Sequence, residues 1–286
     1  MHITGNIHAL KHVFHVRVSP EVKLKRFVYS YIVFDDEICL IDSGVKGCED
    51  SIFKYVRDQG YLEEDIRYLI LSHCHPDHIG GAARIKERTN CTVVSHLRDQ
   101  KWIEDLDQQF ADRPVPDFFT LVADPVEVDK LVSDGESVLF GECSSVSFLF
   151  TPGHSLGSLS LYFPNEKALF VGDAIPLKGD IPNYDSYSMT LSSLEKLEKL
   201  ANIEWLLSSW NDPVSDKASM HRLFNEGKEY LMALDTVVKK YYFSTTEATL
   251  ETCRLVIDEL MLPPVYANPL SHRAFLSHMT DYQYFL

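Results

Sequence analysis

The chain has 286 residues, 45% hydrophobic and 12% aromatic, enough for one large core, or a core with a smaller appendage, to fold without staples. Its formal net charge of −15 at pH 7 repels phosphate backbones and anionic membranes, which argues against nucleic acid as a partner and otherwise serves solubility. No run approaches a membrane span, residues 1–20 are dotted with His, Lys and Arg unlike a signal peptide, and the six cysteines form no CxxC pair, so a cytoplasmic protein with reduced thiols is expected.

Residues 27–34 and 38–42 read as two strands joined by the acidic turn Asp35-Asp36-Glu37. The second ends in Asp42-Ser43-Gly44, where Asp42 has two readings: a carboxylate that orients a metal-ligating histidine, or a turn or helix-cap residue. Helical spacing over 51–60 places Ile52, Tyr55 and Val56 on one face. The apolar strand 66–71 then breaks into Ser72-His73-Cys74-His75-Pro76-Asp77-His78-Ile79-Gly80-Gly81, with a helix predicted over 82–88. His73, His75, Asp77 and His78 are therefore expected on a strand-to-helix loop, and imidazoles with a carboxylate suit zinc, or iron or manganese. Cys74, between two of them, reads as a small semi-buried side chain. Another strand at 91–95 continues an alternation that argues for a layered α/β domain.

Between 96 and 130 the periodicity weakens into a lid-like insertion, whose aromatics Trp102, Phe110, Phe118 and Phe119 either line a substrate pocket or pack onto the main domain. Strands follow at 137–140 and 146–150, and the latter stops at Thr151-Pro152-Gly153-His154-Ser155. His154 is thus delivered as the first cluster is, although a capped loop histidine is the other reading. Strands at 159–163 and 168–171 lead to Gly172-Asp173-Ala174, where Asp173 is either a turn former or a carboxylate able to bridge two metals. Residues 192–202 are amphipathic, 205–210 form a last short strand, and helices are predicted over 220–242 and 250–260 before an aromatic tail at 282–286. The domain organisation expected is a main domain over 1–213 and a helical C-terminal extension over 214–286 packed on it.

In this order, Asp42 in LIDSG, the HxHxDH set His73, His75, Asp77 and His78, His154 in TPGHS and Asp173 in GDA resemble the metallo-β-lactamase superfamily over residues 29–213. The resemblance implies an α+β fold, the αββα metallo-β-lactamase sandwich, with two face-to-face sheets, helices outside and metals at one sheet edge. It implies that His73, His75 and His154 hold one metal and that Asp77, His78 and a bridging Asp173 hold a second. Relatives supply one more histidine in a PGHG-like segment, and here Trp210 stands in its place within Ser208-Ser209-Trp210-Asn211-Asp212-Pro213. An indole has no lone pair for a metal. Asn211 or Asp212 could substitute, His272 or His278 could reach in from the tail, or the second metal could bind weakly.

The chemistry so implied is hydrolysis of a small-molecule ester, lactone or thioester by a metal-bound hydroxide, with Asp77 orienting the water or taking its proton. Tyr184, Tyr187 and Trp210 are the pocket candidates, ordinary loop aromatics being the other reading of the tyrosines. A different class also fits: a metal-binding ligand sensor with little or no catalysis and a degenerate second site. The helical tail could be a homodimer interface in either case.

Overall fold

Strand β1 (His2–Thr4) turns back onto β2 (Ile7–Arg17), which pairs antiparallel with β3 (Lys23–Val33) from Ile7 opposite Val33 to Arg17 opposite Lys23. The histidines, lysine and arginine of β2 hide this strand from a hydropathy reading, yet Leu10, His12 and Phe14 alternate inward against exposed Lys11, Val13 and His15. Beside β3 lie β4 (Ile38–Ile41), then β5 (Ile66–Ile70), β6 (Thr92–His96) and β7 (Lys130–Val132), the last four mutually parallel, in a seven-stranded sheet. Parallel neighbours need crossovers. These are α1 (Cys48–Asp58), the short α2 (Pro76–Ile79) with α3 (Ala82–Thr89), and the segment carrying α4 (Leu97–Glu104), α5 (Leu106–Asp112) and α6 (Phe118–Leu121).

The second sheet has the order β12-β11-β10-β9-β8, from β8 (Ser137–Phe140), β9 (Ser144–Phe150), β10 (Leu159–Phe163), β11 (Ala168–Phe170) and β12 (Trp205–Leu207). Because successive side chains leave a strand on opposite faces, each residue pair of the first sheet divides between two cores. Ile41 and Ile70 join Tyr31, Phe148, Leu161 and Phe170 between the sheets. Leu40 and Leu69 join Ile52, Ile85, Ile103 and Phe118 under the helices. Trp102 packs on that second core, so the 96–130 segment is fastened there by its own aromatics. The sandwich of two sheets with helices that the motifs imply is therefore present.

The computed structural model describes residues 1–17, 22–141, 144–245 and 247–280; the predicted aromatic tail lies outside them. The chain divides into one unit of Met1–Phe150, Gly157–Gly172 and Asn202–Val214, which holds both sheets, and a second of Thr151–Leu156, Asp173–Ala201 and Ser215–Leu286. The second unit is helical. It contains α7 (Tyr187–Glu198), α8 (Lys217–Tyr242), α9 (Leu250–Glu259) and α10 (Pro269–Leu276). Helix α7 starts earlier than predicted because Ser186 caps it, accepting from Met189 N, and α10 is a helix absent from the sequence reading, started by Asn268 and Pro269. No helix among the described residues is long and apolar enough to cross a membrane.

Candidate metal centre

Strand β5 delivers the histidine-rich turn, but not all of it is loop. His73 and His75 precede α2, while Asp77 and His78 lie on that single helical turn, started by Pro76, whose fixed φ suits the first helical position. His73, His75 and His78 are all buried. Their rings crowd one another, with centroids 4.6 Å apart for His73 and His75 and 4.0 Å for His73 and His78. Donor atoms of each of these two pairs lie within 4.8 Å.

Asp42, at the tip of β4 with φ 56°, organises the cluster. Its Oδ1 accepts from Ser72 N at 2.8 Å, and its Oδ2 accepts from Ser72 Oγ and from His78 Nδ1, each at 2.8 Å. A carboxylate only accepts, so His78 is protonated at Nδ1. Ser72 has spent its one proton on Asp42, so at 2.9 Å its Oγ accepts from His73 Nδ1. Both rings thereby turn Nε2 toward the cluster. The carbonyl of His78 is gripped by Ser43, through N at 2.7 Å and Oγ at 2.8 Å. Gly80 lets the chain pass close behind, since a Cβ there would lie 2.3 Å from the Leu121 carbonyl.

Two residues of the 96–130 segment complete the support, and sequence inspection misses both. Buried Asp99 accepts from Cys74 N at 3.0 Å and from Gly157 N at 2.7 Å, while buried Gln109 donates to Cys74 O at 2.6 Å. Asp99 stands among charged residues that look like a solvated helix face, so no spacing announces it. Cys74 itself is fully buried in the apolar core rather than semi-buried.

In the helical unit, His154 Nε2 lies 3.1 Å from Asp173 Oδ2, both side chains nearly buried. Tyr184 is also buried, and its hydroxyl donates to His278 Nε2 at 2.8 Å, because His278 Nδ1 donates to Asp235 at 2.9 Å. That proton is spoken for, which leaves none for an oxyanion in this arrangement. Burial pushes the His278 imidazole down to about 4, so the ring is neutral near pH 7. Tyr187 stacks on it with centroids 4.2 Å apart. With both nitrogens engaged, His278 has no donor for a metal, and His272 Nδ1 is bonded to Tyr242 Oη at 2.8 Å.

The segment after β12 belongs to the sheet unit. Trp210 packs against the Phe14, Val28, Val45 and Leu121 cluster, with the Arg26 guanidinium 4.5 Å from its ring. Asp212 accepts from Tyr29 Oη at 2.6 Å and from Lys11 Nζ at 2.9 Å, and these bonds hold its carboxyl below the usual range. Both bonds fall on Asp212 Oδ1.

A two-sheet sandwich bearing buried, oriented imidazoles at the end of a parallel strand marks a candidate metal site rather than a purely structural turn. The model of the metallo-beta-lactamase superfamily matches residues 25–202, and the chain belongs to that superfamily. A hydroxyacylglutathione hydrolase of Pelagibacter ubique is 28% identical over 176 residues, covering 60% of this chain and 62% of that one. One from Hyphomonas neptunium is 30% identical over 130 residues, covering 45% and 42%. The chain thus spans less than two thirds of the length of these two relatives. A probable metallo-hydrolase of Methanocaldococcus jannaschii is 28% identical over 188 residues, covering 63% and 86%. Among solved structures, a metallo-beta-lactamase family protein of Thermus thermophilus shares the fold with a TM-score of 0.66 at 18% identity, covering 94% of this chain and 92% of that one.

Proposed function

We propose that the chain is a metal-dependent hydrolase of a small thioester, ester or lactone, with His73, His75 and His154 as ligands of one divalent metal and Asp77, His78 and a bridging Asp173 as ligands of a second. The observation that carries this reading is the Asp42, Ser72, His73 and His78 network, which fixes two imidazoles as Nδ1 protonated and leaves Nε2 to coordinate. The donor set fits zinc, and also iron or manganese: imidazoles, each of them buried, with carboxylates. Chain continuity supports the inclusion of His154 and Asp173. Gly157, three residues after His154, is tied through Asp99 to Cys74, Leu159 N donates to Ser72 O at 2.9 Å, and a Cβ on Gly172 would meet Ser72 Oγ at 3.5 Å.

When bound, such a metal acidifies water and polarises a carbonyl oxygen, which removes the need for a protein nucleophile. Asp77, whose Oδ2 lies 3.6 Å from His78 Nε2 and whose side chain is 17% exposed, is the residue here that orients the attacking water and takes its proton. Asp42 and Ser72 hold the imidazoles, and Asp99 and Gln109 hold the backbone between His73 and His75. Thioesters lead the substrate classes because two relatives are named hydroxyacylglutathione hydrolases.

The packing of Trp210 favours a second reading, a protein with one tightly held metal and weak or no catalysis. Elemental analysis separates the two: close to two metals per chain with turnover against one without it. The direct test is a panel of thioester, ester, lactone and phosphodiester substrates with zinc-, iron- or manganese-loaded protein. Thioester hydrolysis is expected, and His73→Ala should lower kcat/KM by about 1000-fold, the loss of several kcal/mol of metal polarisation. Inactivity of every metal form, indistinguishable from His73→Ala, overturns the hydrolase reading.

A further inference from the structure

His154 stands in a short irregular segment, so its position is set by whatever that segment is bonded to. The Gly153 carbonyl accepts from Asp185 N at 2.7 Å and from Ser186 N at 3.0 Å. Behind it a Cβ would lie 2.3 Å from Thr190 N, and Ser193 Oγ holds the Pro152 carbonyl at 2.7 Å. The ligand loop therefore rests on residues 184–193. Those at 184–187 are in turn held from the C-terminal helix. Arg273 Nε donates to Asp185 Oδ1 at 2.8 Å. Ser277 Oγ accepts from Tyr187 N at 3.0 Å while giving its own proton to Ala274 O at 2.7 Å. His278 accepts the Tyr184 hydroxyl and stacks on Tyr187.

We propose that Arg273 and Ser277, at the end of α10, are positioning residues for the metal ligand His154, acting through Asp185 and the Gly153 carbonyl. The inference rests on the ligand role given to His154 above. Asp185 is the hinge of the argument, because one residue both donates its amide to Gly153 and offers its carboxylate to Arg273. That carboxylate is 4% exposed, and a buried charge needs its partner in order to stay where it is. Arg273 and Ser277 are four residues apart, on one face of the helix, so they reach the same neighbouring segment. Helix α10 and the turn after it are fixed on α8 through His272 with Tyr242 and His278 with Asp235, which makes them a firm support. Residues that orient a ligand typically control metal affinity by about 10- to 100-fold.

The test measures zinc affinity of the full chain by competition with a chromophoric chelator, and the visible spectrum of the cobalt-loaded protein. Arg273→Met should weaken zinc binding by about 10-fold and shift the cobalt bands, Arg273→Lys should recover part of both, and Ser277→Ala should show the same changes in smaller measure. A merely structural role would lower the thermal midpoint of the metal-free variants and leave affinity and spectrum alone. If Arg273→Met does not fold, Ser277→Ala decides by the same readouts. His154→Ala runs in parallel and should weaken zinc binding more than any of them. Unchanged zinc binding in His154→Ala removes the ligand assignment itself. A large loss in His154→Ala, with wild-type affinity and spectrum in Arg273→Met and Ser277→Ala, overturns this inference and leaves the hydrolase reading standing.

Discussion

The carboxylate of Asp42 and the imidazole of His78 meet at 2.8 Å, both fully buried, and the same carboxylate takes the amide and hydroxyl of Ser72. One side chain at a strand tip thus sets the tautomer of His78 and, through Ser72, that of His73. Asp42→Ala would leave three buried donors without their acceptor, each costing about 1–3 kcal/mol. It would also place alanine at a positive φ. We expect zinc affinity to fall by about 10- to 100-fold and the urea midpoint to drop, with Asp42→Asn milder because one oxygen remains. Wild-type zinc affinity in Asp42→Ala would show that the buttress is dispensable.

A metal that binds only the folded chain stabilises it by mass action. Free zinc at a hundredfold excess over its Kd should add about 2.7 kcal/mol to unfolding, and stripping by chelator should remove it. His73→Ala should lose this response. Thermal unfolding with and without zinc reads the difference, and an equal response in the variant would place the metal elsewhere.

Gly157 leaves space for Asp99, since a Cβ there would lie 2.5 Å from the Asp99 carboxylate carbon. Gly157→Ala must displace that carboxylate and loosen the Cys74 amide it holds. A cost of about 1–3 kcal/mol in urea unfolding is expected, together with weaker zinc binding. Retention of both wild-type values would mean that Asp99 is not needed to hold the turn.

Burial pushes His12 down to about 4, as it does His278. His12 faces the hydroxyls of Ser30 and Ser51, and His278 faces Asp235, Tyr184 and Tyr187. Between pH 6.5 and about 4 the unfolded chain binds a proton at each position and the folded chain does not. Stability is therefore fully present above pH 6.5 and falls as pH drops toward 4, by about 1.4 kcal/mol per unit for each histidine. Metal-free His12→Gln should lose one such slope in urea unfolding measured at pH 7, 6 and 5. Parallel curves for the variant and wild type would refute the assignment.

Short-range features were legible without coordinates. The apolar runs of β4, β5, β9 and β11 mark strands, and the abrupt change to His and Asp at their ends marks Asp42 after β4 and the candidate ligands after the other three, because both signals sit within a few consecutive residues. Strand β2 was not legible, since inward His12 reads as polar and outward Val13 as apolar, which masks the period of two.

The sequence by itself determined which residues are candidate ligands, their order along the chain and the family those motifs belong to, for these depend on residue identity and local spacing. Tertiary structure alone decided that Asp42 holds His78 and Ser72, that Asp99 joins Cys74 to Gly157, that the Tyr184 proton goes to His278, and that Arg273 reaches Asp185. Each of these bonds joins residues far apart in the chain. Hydrogen bonding is set by distance and direction in space, and neither is written in the spacing of residues along a sequence.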